Sequence, residues 1–119
     1  MPFPSIDLKR LQSEIGVDDV ELLVTVAQAL AKEAPICLAE IERALVARNE
    51  KEVSIAAHTL KGASRMMIME RVADAAEEVE LAGKRGDFEA VASTFITLRH
   101  HVEEMLQAIE RFANENQAP

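Results

Sequence analysis

Apolar residues recur at helical spacing through most of the chain. Ile6, Leu8, Leu11 and Ile15 form the apolar side of a short leading helix, with Ser5 as its cap and Gly16 as its end. Pro2 and Pro4 keep the residues before it extended. Asp18 or Asp19 then opens a longer pattern through Leu23, Val26, Leu30, Ala34, Leu38, Ile41 and Leu45, with Asn49 as its stop. Pro35 falls inside this pattern, where it removes a backbone donor and crowds the preceding turn, so a kink or break is expected near Ala34. A third helix is expected from about Glu50 to the Met66–Met69 region, and a fourth from about Glu70 to Ala82 with Val72, Ala75, Ala76 and Val79 inward. Gly83 and Gly86 mark a tight turn, and Asp87 caps the last helix. In that helix Phe88, Val91, Phe95, Leu98, Val102, Met105, Ile109 and Phe112 alternate steps of three and four, a coiled-coil-like seam. At ~1.5 Å per residue it spans roughly 40 Å. Asn114–Pro119 reads as a frayed tail. The pattern predicts an all-α fold, an antiparallel up-down four-helix bundle with a short additional N-terminal helix, as one domain over residues 1–119.

Composition narrows the function. A chain of 119 residues buries roughly two-thirds of its unfolded surface, enough for one core. Thirteen basic against 21 acidic residues leave a net charge of −8, which excludes a general ligand for nucleic acid or anionic membrane. One cysteine, Cys37, excludes an internal disulfide framework and a CxxC metal site. The opening MPFPSIDLKR has no apolar signal-peptide core, and no window approaches ~20 apolar residues, so a cytoplasmic monomer is expected. GxxxxGK[ST] and GxGxxG are both missing, so neither ATP binding nor kinase activity is expected, and no cofactor is implied.

The helix over 51–67 carries the candidate chemistry. On a wheel of 100° per residue with His58 outward, Val53, Ala56, Leu60, Ala63, Ser64 and Met67 fall on the opposite, buried side. Lys51, Ser54, Lys61, Gly62 and Arg65 share the face of His58. Gly62, alone of the four glycines within a predicted helix, weakens it by roughly 1 kcal/mol relative to Ala. Standing one turn after His58, it leaves room for something large to approach the imidazole. Lys61, Arg65 and Lys51 make a basic patch on an acidic protein, suited to an imidazole that must carry negative charge such as a phosphoryl group. Ile55, Met66 and, if the helix continues, Met69 supply an adaptable apolar rim.

The string Ala57-His58-Thr59-Leu60-Lys61-Gly62-Ala63-Ser64 resembles the signature of histidine-containing phosphotransfer (HPt) domains. The acidic helix Val72–Glu80, the Glu33-Ala34-Pro35 segment and the short leading helix are also similar to that family, so the resemblance covers essentially the whole chain. It implies a four-helix bundle in which His58 accepts a phosphoryl group from the aspartyl phosphate of a receiver domain and passes it to another receiver. Lys61 is then expected to steady the phosphoryl charge and Gly62 to give clearance, while Ile55, Arg65, Met66 and Met69 contact the receiver. By family analogy Nε2 attacks, with magnesium and the acidic pocket on the receiver's side. What orients Nδ1 is not visible in the sequence. The pattern departs from the family at one place. Many members carry a small residue and then Gly eight to ten positions after the His, where this chain has Met66 and Ile68, which leaves open where the helix ends.

The alternative is a non-catalytic helical interaction module that binds a response regulator or kinase. A metal site at His100 and His101 is disfavoured because adjacent helical residues point about 100° apart. Cys37, with no cationic cluster or second Cys nearby, reads as a buried structural thiol. Glu77, Glu78, Glu80, Glu103, Glu104 and Glu110 read as solvated helix faces with no site role.

Overall fold

Four of the five helices start on a side-chain cap. In the computed structural model, which describes residues 5–116, the helices are α1 Leu8–Ile15, α2 Val20–Val46, α3 Glu50–Met66, α4 Glu70–Lys84 and α5 Phe88–Asn116. Asp7, Asp19, Asn49 and Asp87 each accept a hydrogen bond from the backbone N–H three residues on, at 3.1–3.2 Å. The cap of α1 is therefore Asp7, two residues beyond the expected Ser5. An ionised carboxylate suits the positive end of the helix better than a hydroxyl. Pro2, Pro4 and the end of the expected tail, 117–119, lie outside the described residues; α5 itself runs through Asn116.

Left-handed residues close the helices. Gly16 (φ 76°) ends α1 and Gly86 (φ 68°) follows α4, but Arg48 (φ 54°) and Ile68 (φ 57°) take the same conformation with a Cβ. Asn49 is thus not the stop of α2 but the cap of α3, and Arg48 makes the turn between them. After α3, Ile68 N–H donates to Arg65 O (3.0 Å) and Met69 N–H to Ser64 O (2.9 Å), closing the orphan carbonyls of the last turn. This ends α3 at Met66 with no glycine. A β-branched residue in this region carries a backbone penalty of roughly 1–2 kcal/mol, offset by packing of the half-buried Ile68 against the core.

Pro35 does not break α2, which runs without interruption through it. The ring faces solvent while Ala34 and Cys37 face the core, so the proline removes one backbone hydrogen bond from α2 without intruding on its packed stripe. The buried stripe of α2 is Leu23, Val24, Ala27, Leu30, Ala34, Cys37, Ile41 and Ala44; the expected Val26, Leu38 and Leu45 are only half-buried at its edge. Contrary to the sequence expectation, α2 is long and apolar enough to cross a membrane by length and composition, but its stripe forms one wall of the bundle core. The expected seam of α5 is buried from Val91 to Phe112.

Each of α2 to α5 packs on its chain neighbour, and α5 closes back on α2, giving the four-helix bundle. Gly83 is not in a turn: it lies within α4, where an added Cβ would sit 2.8 Å from Val53 Cγ1 of α3. The two helices meet so closely here that only hydrogen fits. This contact, one turn beyond Glu80, fixes α4 against the helix that carries His58.

Candidate functional site

His58 projects from the middle of α3 with its side chain 67% exposed, while Val53, Ala56, Ala57, Leu60 and Ser64 bury the opposite side. The inward stripe thus has the composition expected of it, with Ala57 added and Ala63 half-buried. One turn on, Gly62 is exposed, and a Cβ built there would meet nothing within 4 Å. The approach to the imidazole from that side is open.

The ring is held from behind by a residue that sequence reasoning left on the solvent. Glu80 is 3% exposed, between α3 and α4, and its Oε2 lies 2.9 Å from His58 Nδ1. Lys61 Nζ donates to Oε1 at 2.6 Å, and Lys84 Nζ, one turn further along α4, lies 3.2 Å from Oε2. Burial alone would push this carboxyl up, but the hydrogen bonds from Lys61, Lys84 and His58, with the charge of Lys61, outweigh it and hold the group down at about 2. Glu80 is therefore ionised at neutral pH and can only accept. Nδ1 must carry the hydrogen of that bond, which assigns the lone pair of the neutral ring to the outward Nε2.

A signal for Glu80 was present in the sequence. Ala73, Ala76, Glu80 and Gly83 are spaced by three and four, and all four are buried. The run of acids from Glu77 to Glu80 hid it, because a charge at such a position is normally solvated. Glu77 is half-buried and also belongs to the site: it lies 4.0 Å from Lys61 Nζ and 3.5 Å from Arg65. Across Lys61, Arg65 and Lys84 against Glu77 and Glu80, the local balance is one positive charge on a chain of net −8.

The expected rim divides. Ile55 is 50% exposed and Met66 is 66% exposed, and both stay on the face of His58. Because α3 stops at Met66, Met69 does not continue that face. It is half-buried and lines a separate cavity with Arg10 and Met105. In its place α1 and α2 contribute: Met66 and Arg65 border a groove of about 590 Å³ lined mainly by Ile15, Leu22, Val26 and Ile68. On α5, His100 and His101 both lie against Glu104, at 3.5 and 3.2 Å, away from His58. Cys37 is buried and its thiol is pushed up to about 12, first by burial and then by Glu33 and Glu40.

The Hpt domain family model matches residues 25–112. No curated protein and no solved structure matches the chain. The matched stretch runs from within α2 to the last turns of α5 and holds His58, Lys61, Gly62, Glu80 and Lys84. With its exposed histidine braced on a bundle of four helices, the chain belongs to the Hpt domain family, whose members carry phosphoryl groups on histidine in two-component phosphorelays and are not kinases.

Proposed function

We propose that His58 is the phosphoacceptor: it takes a phosphoryl group from the aspartyl phosphate of one receiver domain and returns it to the aspartate of another. The observation that carries this is the pairing of an exposed Nε2 with an Nδ1 held by buried, ionised Glu80. The Nε2 lone pair attacks phosphorus and the bond from phosphorus to the aspartyl oxygen breaks, releasing the carboxylate. The hydrogen on Nδ1 stays, so the ring becomes a cation while it holds the phosphoryl group, and Glu80 stabilises that cation. In the onward step the next aspartate attacks phosphorus, the N–P bond breaks, and a neutral imidazole leaves. Without the Nδ1 hydrogen the leaving group would be an imidazolate, a far poorer one. Phosphoryl transfer needs positioning and charge balance more than covalent machinery, and this site supplies both.

Gly62 gives the incoming domain clearance, and Lys61 keeps Glu80 charged and adds positive potential behind the ring. Ile55, Met66 and Arg65, with the groove beyond them, form an apolar surface with a basic edge, the complement of a receiver's acidic pocket. Met69 is not part of that face; it packs against the core and lines a separate cavity with Arg10 and Met105.

The test is transfer of label from a phosphorylated receiver domain to wild type and to His58→Gln. Acid-labile, base-stable label on the wild type alone is the expected result. No label on either, with several receivers tried, would favour a binding-only bundle. Label on both would move the acceptor role to His100 or His101.

A further inference from the structure

We infer that Lys84 is the side chain that closes on the phosphoryl group when His58 carries it, an inference that rests on the carrier role proposed above. Three cations stand near the ring, and the geometry separates their tasks. Lys61 is only 14% exposed and lies 2.6 Å from Glu80 Oε1, with Glu77 on its other side at 4.0 Å. Swinging it out would strip a buried carboxylate of its closest partner. Arg65 is engaged by Glu77 at 3.5 Å. Lys84 is 60% exposed, reaches Oε2 at 3.2 Å, and has no other carboxylate within ion-pair distance among the described residues. Glu80 keeps Lys61 if Lys84 leaves, so Lys84 can leave without orphaning it.

Position agrees with charge. Lys84 and His58 Nδ1 meet at the same oxygen, Oε2, the ammonium arriving from α4 and the ring from α3. The ammonium is thus already beside the imidazole, on a flexible stem rooted in the last turn of α4. It is also the charge left over when Lys61 and Arg65 are set against Glu80 and Glu77. A phosphoryl dianion on Nε2 is a stronger attractor than a carboxylate oxygen already shared with an Nδ1–H and another lysine. Lys84 moves from Oε2 to the phosphoryl oxygens as the group arrives and returns as it leaves. No bond to carbon or nitrogen changes at Lys84, and its proton stays with it.

Potassium phosphoramidate as donor isolates this step from receiver docking: Nε2 attacks phosphorus, the P–N bond breaks and ammonia leaves. The full chain is loaded as wild type, His58→Gln, Lys84→Gln and Lys84→Arg, and phosphohistidine is followed by mass shift. Lys84→Gln should load roughly tenfold more slowly at low salt, Lys84→Arg near the wild-type rate, and the deficit should shrink at high ionic strength. The ring-nitrogen NMR signature of His58 should keep its Nδ1–H tautomer in Lys84→Gln, because Lys61 still holds Glu80. Wild-type loading by Lys84→Gln, with His58→Gln blank, overturns the role of Lys84 and leaves the carrier role intact. A slow Lys84→Gln whose tautomer has changed also overturns it, since Lys84 would then act only by orienting the ring. A wild type that loads from neither phosphoramidate nor any receiver overturns both.

Discussion

Glu80→Gln tests the centre of the site through stability, without any phosphate present. The carboxyl is 3% exposed and sits at about 2 against an ordinary value of 4.5. A depressed folded-state value means that the unfolded chain takes up a proton first as pH falls. The stabilisation is therefore complete above about pH 4.5 and is lost progressively toward pH 2. At 1.36 kcal/mol per unit, the shift corresponds to about 3 kcal/mol at pH 7, with roughly half of it left at pH 3. That is a large share of the 5–15 kcal/mol typical of a domain. Gln keeps the shape and offers one carbonyl acceptor, but carries no charge to balance Lys61. Urea denaturation of wild type and Glu80→Gln should differ by about 3 kcal/mol at pH 7, and the two curves should converge as pH falls through 4 to 2. Other carboxylates titrate in both proteins and cancel in the difference. A gap that stays constant from pH 7 to pH 2.5 would refute the claim that the charge of Glu80, rather than its packing, holds α3 to α4.

Gly62→Gln should stabilise the fold by about 0.7 kcal/mol, since its Cβ meets nothing and Gln is the better helix former, yet slow transfer from a receiver; unchanged transfer would remove the clearance role. Gly83→Ala should do the opposite to the fold: its Cβ would press on Val53 Cγ1 at 2.8 Å, and overpacking of about 1–3 kcal/mol exceeds the gain in helix propensity. Its thermal midpoint should fall and recover in the Gly83→Ala, Val53→Ala double variant; a midpoint at or above wild type would show that the helices separate freely there. Cys37, buried with its thiol pushed up to about 12, should resist a thiol reagent at pH 8 in the native protein and react at once in denaturant. Rapid native labelling would show that α2 opens locally.

The bundle was legible because its determinants are local and repetitive. The seam of α5 follows from spacing alone, and Asp19 and Asp87 announce their helices as caps. The outward position of His58 and the empty space at Gly62 were legible for the same reason, since both depend only on a 100° step around one helix. What was hidden depends on a second helix. Glu80 looks like its neighbours Glu77 and Glu78 until α4 is laid on α3, and what lays it there is Gly83, which in sequence resembles a turn residue. Arg48 and Ile68 were missed because nothing in a side chain advertises a positive φ other than Gly or Asn; at both, the backbone takes it to close the preceding helix, with Asn49 N–H donating to Ala44 O and Met69 N–H to Ser64 O. Met69 went astray as a consequence, since the face it was assigned to ends with the helix three residues earlier.

The proposed carrier role also explains why the lysines of this site are muted by carboxylates. A carrier must release what it accepts, so a pocket that bound the phosphoryl group as tightly as three free cations would trap it. Here the three cations share two carboxylates, Glu80 and Glu77, so two of the three positive charges are balanced before any phosphoryl group arrives. One surplus charge remains to meet a dianion, and the rest of the surface is acidic. The group is thus held chiefly by its single bond to Nε2, and Glu80 keeps that bond breakable by leaving the hydrogen on Nδ1. On this account the carboxylates are as necessary to the carrier as the histidine. Removing Glu77, which pairs with Lys61 and Arg65 and not with the ring, should strengthen the field on the phosphoryl group and slow its departure to a receiver more than its arrival. A Glu77→Gln variant that unloads as fast as wild type would break that link between charge balance and reversibility.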